Sequence, residues 1–197
     1  MKRRSIFLAA LMVVSSATVS AKPETDKRAT AIFAMGCFWC AEADFEKVDG
    51  VVDVVSGYTG GRVRNPSYEQ VSAGGTGHYE AVLVTYDPSK VKYSDLLSVF
   101  WRNVDPFDAE GQFCDKGESY RAAIFPSSVA ERKAADASRE YLVAHFKRDL
   151  ATRIITRAPF YRAEDYHQDY YKKNPLRYRY YRSRCGRDDR LAEVWGK

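Results

Sequence analysis

TAIFAMGCFWCAEADFEKV, at residues 30–48, is the stretch that decides the expected fold class. Its apolar first part, residues 30–35, predicts a short buried strand, and Gly36 breaks that strand. From Cys37 onward the apolar residues recur at helical spacing, which predicts a helix over 37–48. A strand, a glycine turn and a helix opened by cysteine therefore begin the domain.

The rest of the chain repeats strands and helices in a less regular order. Strands are predicted at 51–56, 79–86, 120–125 and 153–156, and capped helices at about 94–103 and 128–146. Because the strands are not all separated by helices, we expect an α+β domain. The expected architecture is a ferredoxin-like two-layer sandwich, with helices packed on a mixed, largely antiparallel sheet. The tyrosine-rich, basic remainder is expected to form an irregular C-terminal tail.

The N-terminus has the layout of a cleavable signal peptide. Basic residues at 2–4 precede an apolar run at 6–14, and small residues lead to Ala21. A retained membrane anchor is the alternative, but the apolar run is too short to span a bilayer. We expect a signal peptide at 1–21, a flexible lead-in at 22–29 and a single domain at 30–197, exported to the periplasm.

The charge balance gives little reason to expect a nucleic-acid partner. The formal net charge is +5, and residues 1–21 hold three basic and no acidic residues, so the mature chain carries +2. Tyrosines alternate with arginines and lysines over 161–190, as in some single-strand nucleic-acid binders. Such a run more often covers the domain surface with wet hydroxyls. We expect no nucleic-acid partner, no stable membrane association and a monomer.

Cys37 is the first candidate for chemistry. A cysteine at the N-terminal end of a helix is near partial positive charge, which favours the nucleophilic thiolate. The neighbouring Phe38 and Trp39 could enclose an apolar group such as an S-methyl, since sulfur and aromatic rings attract each other. The bland alternative is a small buried cysteine between two core aromatic residues. The glycine turn and the aromatic pair favour the nucleophile.

Cys40 keeps a second interpretation open. A Cys-x-x-Cys pair at a helix start is also typical of general dithiol-disulfide oxidoreductases, although Phe38 and Trp39 are large for that motif. Zinc uses the same spacing but needs two further ligands. Cys114 and Cys185 are isolated, and none of the three histidines forms a close pair. We therefore expect no metal.

Glu80 is the candidate acid. In the strand predicted at 79–86 it falls on the same face as Val82 and Val84. Burial there would keep the carboxyl protonated near neutral pH, so that it could give a proton to a leaving oxygen. The alternative is a solvated carboxyl at a frayed strand end. The sequence leaves both open.

Five segments, in order, resemble motifs of the peptide methionine sulfoxide reductase A family. The first is the signature GCFW at residues 36–39. The others are NPSYEQV at 65–71, GHYEAV at 77–82, DKGESYR at 115–121 and AEDYHQDY at 163–170. The segments extend over nearly all of the mature chain, and their combination is highly specific.

The resemblance implies an enzyme that reduces methionine-S-sulfoxide, in proteins and as the free amino acid, and so repairs oxidative damage. It implies that Cys37 attacks the sulfoxide sulfur and that Glu80 protonates its oxygen. Tyr68 and Tyr120 would hydrogen-bond that oxygen, with Asp115 supporting the site, and Phe38 and Trp39 would enclose the methyl group. No metal or organic cofactor is implied, and a thioredoxin-like protein or dithiothreitol would supply electrons.

The resolving cysteine is left open by the sequence. The oxygen would pass to Cys37 as a sulfenic acid, which a second thiol condenses to a disulfide. Cys185 resembles the family's C-terminal resolving cysteine and is put slightly ahead. Cys40, where many members have glycine, is one helical turn from Cys37. Cys114 precedes Asp115 and is expected to be a small buried cysteine.

Overall fold

A computed structural model describes residues 28–196, so the predicted signal peptide and most of the lead-in lie outside the described residues. The strands are β1 Ala29–Met35, β2 Val51–Thr59, β3 Tyr79–Tyr86, β4 Gly111–Gln112, β5 Asp115–Lys116, β6 Ala122–Phe125, β7 Arg153–Ile154 and β8 Phe160–Arg162. The helices are α1 Phe38–Phe45, α2 Tyr68–Ser72, α3 Tyr93–Arg102, α4 Val129–Phe146, α5 Tyr170–Lys173, α6 Pro175–Arg184 and α7 Arg187–Trp195, with a 3₁₀ turn at Glu118–Tyr120. None of these helices is long and apolar enough to cross a bilayer.

The main sheet has six strands in the order β7-β6-β1-β3-β2-β8. All of its neighbouring pairs are antiparallel except β6 and β7, which run parallel. The expected α+β class with a mixed, largely antiparallel sheet is confirmed. A separate two-stranded ribbon, β4 with β5, carries the segment around Asp115.

Alternation along β1 builds the core on both faces of the sheet. Phe33 stacks on Phe45 of α1 at 5.0 Å and on Phe100 of α3 at 5.5 Å between ring centroids. Truncating a buried phenylalanine in such a cluster costs about 3–5 kcal/mol. On the opposite face, Ile32 packs in a smaller cluster with Phe125. The stacked rings therefore fix α1, and the cysteines it carries, against the sheet.

Gly36 makes the turn from β1 into α1 possible. Its φ of +78° lies in the left-handed region, and a Cβ there would lie 2.6 Å from Cβ of Gln112. Cys37 follows as the N-cap of α1. The helix ends at Phe45 rather than Val48, because the chain must turn at Gly50, with φ +92°, to enter β2. The strand–turn–helix prediction is thus confirmed, with a shorter helix.

The expectation of an irregular C-terminal tail is wrong, since α5, α6 and α7 occupy that region. Pro175 opens α6 at a position that suits proline, and Gly186, with φ +64°, separates α6 from α7. Tyr178 and Leu191 are buried, and Arg187 is only 2% exposed. α6 has little apolar periodicity of its own, and α5 is a single short turn. Long-range burial of tyrosine and arginine side chains stabilises them, and local sequence patterns do not report it.

Candidate active site

Cys37 lies buried at the start of α1. Its backbone carbonyl accepts the N–H groups of Cys40 and Ala41 at 3.1 and 3.3 Å, as an N-cap carbonyl does. Burial raises the pKa of the Cys37 thiol well above its ordinary value, and the hydrogen bond to Cys40 and the charge of Glu80 act in the same direction. The helix N-terminus, which favours a thiolate in the sequence pattern, is opposed by burial here. Desolvation outweighs the helix N-terminus, and Cys37 rests as a thiol.

Cys40 is the more acidic of the two thiols. The hydrogen bond from Cys37 lowers the pKa of Cys40 to about 7, against the opposing effect of burial. Arg187 and Arg182 also lower it. Cys40 packs on Tyr178 of α6, so the C-terminal helices cover this side of the pair. At neutral pH a substantial fraction of Cys40 is therefore a thiolate beside Cys37.

Glu80 is buried, with 3% of its surface exposed, which decides between the two alternatives left by the sequence. Its Oε2 accepts the backbone N–H of Phe38 at 3.0 Å, in the first turn of α1. Burial raises the pKa of Glu80 to about 8, the Phe38 N–H opposes this, and Asp115 adds to it. The carboxyl is therefore mostly protonated at pH 7 and can donate a proton next to Cys37.

Tyr68 and Tyr120 are two phenols close enough to Glu80 for its charge to affect them. Tyr68 begins α2, and its backbone N–H donates to Oε1 of Glu164 at 2.8 Å. Burial raises the pKa of both phenols, followed by the charge of Glu80, and the two hydroxyls affect each other's pKa. Both phenols therefore keep their protons. They are donors suited to an oxygen placed over Glu80.

Asp115 lies on β5 and affects the charge of the reacting groups. Burial raises the pKa of its carboxyl, while a hydrogen bond from Tyr181 and the charges of Arg187 and Lys116 lower it. Its charge in turn raises the pKa of Cys37 and of Glu80. Asp115 thus helps to keep both groups protonated.

Phe38 and Trp39 form an aromatic wall. The Trp39 indole N–H donates to Nδ1 of His167 at 3.0 Å, and its ring stacks on Tyr170 at 3.7 Å with a 6° interplanar angle. The Phe38 ring lies 4.8 Å from His167 and 5.9 Å from Tyr58. Both predicted enclosing rings are therefore fixed by contacts from the segment at 163–170.

Three further residues organise the site, and sequence reasoning gave them no role. Glu164 accepts the hydroxyl of Tyr58 and the N–H of Tyr68, both at 2.8 Å. His167 contacts Phe38, Trp39 and Tyr68, and Tyr181 donates to Asp115. Glu164 and His167 could have been found from the sequence, because both belong to the motif at 163–170. Nothing local distinguished Tyr181 from its tyrosine neighbours.

The remaining cysteines form a disulfide between Cys114 and Cys185, with Cα atoms 4.9 Å apart. Cys114 is exposed, so the expectation of a buried free cysteine is wrong. Cysteines are usually buried, but Cys114 lies at the surface just before β5. There it bonds to Cys185, which follows the last residue of α6. The sulfur of each cysteine lies 3.9 Å from a carboxylate oxygen of Asp115.

The described residues contain one cluster of carboxylates close enough to share a cation, formed by Glu42, Glu46 and Asp169. The ammonium group of Lys172 forms salt bridges to two of these carboxylates, at 2.6 Å from Glu46 and 2.8 Å from Asp169. The second group with suitable spacing consists of Asp115 and the disulfide sulfurs, which are not thiolate ligands. Metal chemistry therefore has no support from these donor sets.

The arrangement suits attack by sulfur on an atom that carries a basic oxygen. A buried thiol faces a protonated carboxyl, two phenols can bind an oxygen, and aromatic rings can hold an apolar substituent. A second thiol lies one helical turn from the first. Oxygen transfer to sulfur, followed by disulfide formation, uses each of these groups.

Comparison with known proteins identifies relatives across the described domain. The family model described as peptide methionine sulfoxide reductase matches residues 29–197. Peptide methionine sulfoxide reductase MsrA 2 of Caulobacter vibrioides is 49% identical, with all of both chains covered. The crystal structure of reduced Mxr1 from Saccharomyces cerevisiae has a TM-score of 0.73 and 33% identity over 79% of this chain and 90% of that one. Mxr1 in complex with Trx2 has a TM-score of 0.53 and 25% identity over 77% and 91% of the two chains.

Proposed function

The chain belongs to the peptide methionine sulfoxide reductase family and is an oxidoreductase, and on that premise we propose that it reduces methionine-S-sulfoxide to methionine in oxidised proteins and as the free amino acid. The observation that carries the proposal is the placement of Glu80. Its carboxyl, with a pKa of about 8, accepts the N–H of Phe38 directly after Cys37. An acid kept protonated at neutral pH beside a buried thiol is what removal of a sulfoxide oxygen requires.

The proposed first step transfers oxygen from substrate to enzyme. Cys37 sulfur attacks the sulfoxide sulfur while Glu80 protonates the sulfoxide oxygen, which Tyr68 and Tyr120 hold by hydrogen bonds. In the intermediate that this attack forms, the hydroxyl group moves from the substrate sulfur to the Cys37 sulfur. The substrate S–O bond and the transient bond between the two sulfurs break, a new S–O bond forms on Cys37, and methionine leaves with Cys37 as sulfenic acid. The proton of the Cys37 thiol restores Glu80. Sulfoxide and thiol are thus converted to thioether and sulfenic acid with atoms and charge in balance.

We assign the second step, attack of a thiol on the Cys37 sulfenic acid, to Cys40 ahead of Cys185. Its thiol hydrogen-bonds with Cys37, its pKa of about 7 gives a substantial thiolate fraction, and Cys185 is already bonded to Cys114. Attack of Cys40 on the sulfenic acid forms a Cys37–Cys40 disulfide and releases water. This reverses the order that the sequence favoured for Cys185 and Cys40.

Cys40→Ser is expected to leave Cys37 as a sulfenic acid after one turnover, since no other free thiol lies beside it. Mass spectrometry after one equivalent of substrate and dimedone should detect the adduct on Cys37. The Cys114→Ser/Cys185→Ser double variant is the control and should form the Cys37–Cys40 disulfide, 2 Da lighter, as wild type does. Rapid disulfide formation between Cys37 and Cys185 in Cys40→Ser would restore Cys185 as the resolving cysteine.

We propose that a thioredoxin-like protein returns the disulfide to the dithiol state. The likeness to Mxr1 in complex with Trx2 supports a reductant of this kind, and dithiothreitol would replace it in vitro. The proposed chemistry is complete with two thiols, one acid and an external dithiol, so it requires no organic cofactor or metal.

The decisive assay uses the purified mature protein, dithiothreitol and separate S and R epimers of a methionine sulfoxide peptide. Turnover of the S epimer alone is expected, because Glu80 and the aromatic wall can serve only one arrangement of oxygen and methyl group at Cys37. Turnover of neither epimer, combined with reduction of insulin disulfides, would favour the alternative of a general Cys-x-x-Cys dithiol-disulfide oxidoreductase.

We also propose export to the periplasm, which the sequence supports, and a monomeric state, which is the default expectation. The basic start, apolar run and small residues before Ala21 support the signal peptide. N-terminal sequencing of the protein from a periplasmic fraction is expected to begin at Lys22. A full-length chain in the cytoplasmic fraction would contradict export.

A further inference from the structure

Tyr181 of α6 reaches the reaction centre from the C-terminal helices. Its hydroxyl donates a hydrogen bond to Oδ2 of Asp115. Burial, followed by the charges of Cys37 and Asp115, raises the pKa of Tyr181, so it stays a phenol and a donor. Its ring meets the indole of Trp39 edge-on, with centroids 5.9 Å apart and an interplanar angle of 80°. One side chain thus contacts the carboxylate and the aromatic wall, and it is close enough to Cys37 for the two groups to affect each other's charge.

A covalent bond joins the same two segments beside that hydrogen bond. Cys185 follows Tyr181 by four residues, hence by one helical turn, and Cys114 immediately precedes Asp115. Their disulfide brings the two Cα atoms to 4.9 Å, and the Cys114 N–H lies 3.2 Å from Sγ of Cys185. Without this bond, α6 would be tied to the β4–β5 ribbon by the Tyr181–Asp115 hydrogen bond and weaker contacts.

We propose that Tyr181 is a positioning residue for sulfoxide reduction, holding the Asp115 carboxylate and the Trp39 indole in place around Cys37, and that the Cys114–Cys185 disulfide keeps Tyr181 there. The proposal rests on the proposed function. It gives the disulfide a task separate from carrying electrons to Cys37.

The charge on Asp115 depends on this contact. Burial favours the neutral carboxyl, while the Tyr181 hydroxyl and, more weakly, Arg187 of α7 and Lys116 of β5 favour the carboxylate. Hydrogen bonds to charged groups are stronger than those between neutral groups. Loss of the hydroxyl therefore raises the pKa of Asp115 and leaves less negative charge at the site.

Loss of the Tyr181 hydroxyl would therefore change the pKa of the reacting groups. The charge of Asp115 raises the pKa of Cys37 and of Glu80, so partial neutralisation of Asp115 lowers both. Glu80 would then deprotonate at a lower pH and stop serving as an acid earlier. The alkaline limb of kcat in a variant lacking the Tyr181 hydroxyl should move toward lower pH.

Tyr181→Phe tests the proposal because it removes the hydroxyl and keeps the ring against Trp39. We expect kcat to fall about tenfold, equivalent to about 1.4 kcal/mol, with KM nearly unchanged and the alkaline limb displaced downward. Tyr180→Phe, on the same helix with its side chain 70% exposed, is the matched control and should behave as wild type. Thermal unfolding of each variant checks that the fold is intact.

A double-mutant cycle separates positioning from general destabilisation. If Tyr181 acts through Asp115, then Tyr181→Phe combined with Asp115→Asn should be no slower than Asp115→Asn alone. In the Cys114→Ser/Cys185→Ser background, kcat should fall in the same direction, and Tyr181→Phe should add less than it does in wild type.

Wild-type kcat and pH profile in Tyr181→Phe, or fully multiplicative losses with Asp115→Asn, would overturn the proposal. An unchanged kcat in the Cys114→Ser/Cys185→Ser variant would remove the role of the disulfide. Failure of the proposed function itself would be recognised separately, since wild type would then not reduce either sulfoxide epimer.

Discussion

Cys37→Ser is expected to abolish reduction of methionine-S-sulfoxide, lowering kcat by at least about 10⁴-fold. A serine hydroxyl is a far poorer nucleophile toward sulfur, and it cannot take up oxygen as a sulfenic acid. The variant should remain folded, because serine differs from cysteine by a single atom and Cys37 is the N-cap of α1, a position that serine favours. Turnover with dithiothreitol on the S epimer is the measurement.

Two controls isolate the nucleophile. Cys40→Ser removes the neighbouring thiol from the same helix turn but should still release one equivalent of methionine per enzyme in a single turnover. Cys37→Ser should release none. Equal single-turnover yields from both variants would mean that Cys37 does not attack the substrate, and would direct attention to Cys40 and to dithiol exchange.

The strand–turn–helix around Cys37 was predictable because its signals are local. Apolar periodicity, one glycine at φ +78° and the burial of Phe38 and Phe45 act within a few residues of each other. Strand alternation placed Glu80 on the apolar face of its strand, and the structure decided between burial and a frayed end. In each case the sequence pattern and the final environment involve the same short segment.

The C-terminal helices could not be predicted in the same way. Arg182 and Arg187 appear in the sequence as solvated cations, yet both pair with Asp44, which lies more than 130 residues earlier. The Cys114–Cys185 bond spans 71 residues. Such pairings arise from the fold as a whole, so local pattern assigned this region to an irregular tail and gave Tyr181 no role.

The resting state of Cys37 shows a conflict between two local effects. The helix N-terminus favours a thiolate, and the sequence contains that signal. The sequence does not contain the density of packing around the sulfur or the nearby carboxyls of Glu80 and Asp115, which together keep the proton on Cys37. Activation therefore has to occur with substrate bound, when Glu80 gives its proton to the departing oxygen.

Glu80→Gln is expected to lower kcat by about 10²–10⁴-fold, the usual contribution of a general acid. The glutamine carbonyl oxygen can still accept the N–H of Phe38, so α1 should keep its position, but the amide has no acidic proton to give. KM should change little. Glu110→Gln, at an exposed position, is the matched control and should keep wild-type turnover.

The pH dependence gives the same prediction a second, independent readout. With a pKa of about 8, Glu80 is protonated at neutral pH, and wild-type kcat should fall about tenfold per pH unit well above 8. The residual activity of Glu80→Gln should lack that limb. An unchanged alkaline limb in the variant would assign the limb to another group and remove Glu80 as the acid.

The free energy of unfolding should also depend on the ionisation of Glu80, and the direction of this pH dependence can be stated. The pKa of Glu80 rises from an ordinary value of 4.5 in the unfolded chain to about 8 in the fold, so the folded state binds more protons between those values. Its contribution to the free energy of unfolding is therefore complete below about pH 4.5 and is lost as pH rises through about 8. Urea unfolding of wild type and Glu80→Gln across this window should show the wild type losing stability relative to the variant as pH increases. A constant difference would mean that Glu80 is ionised in the folded protein and cannot act as the acid.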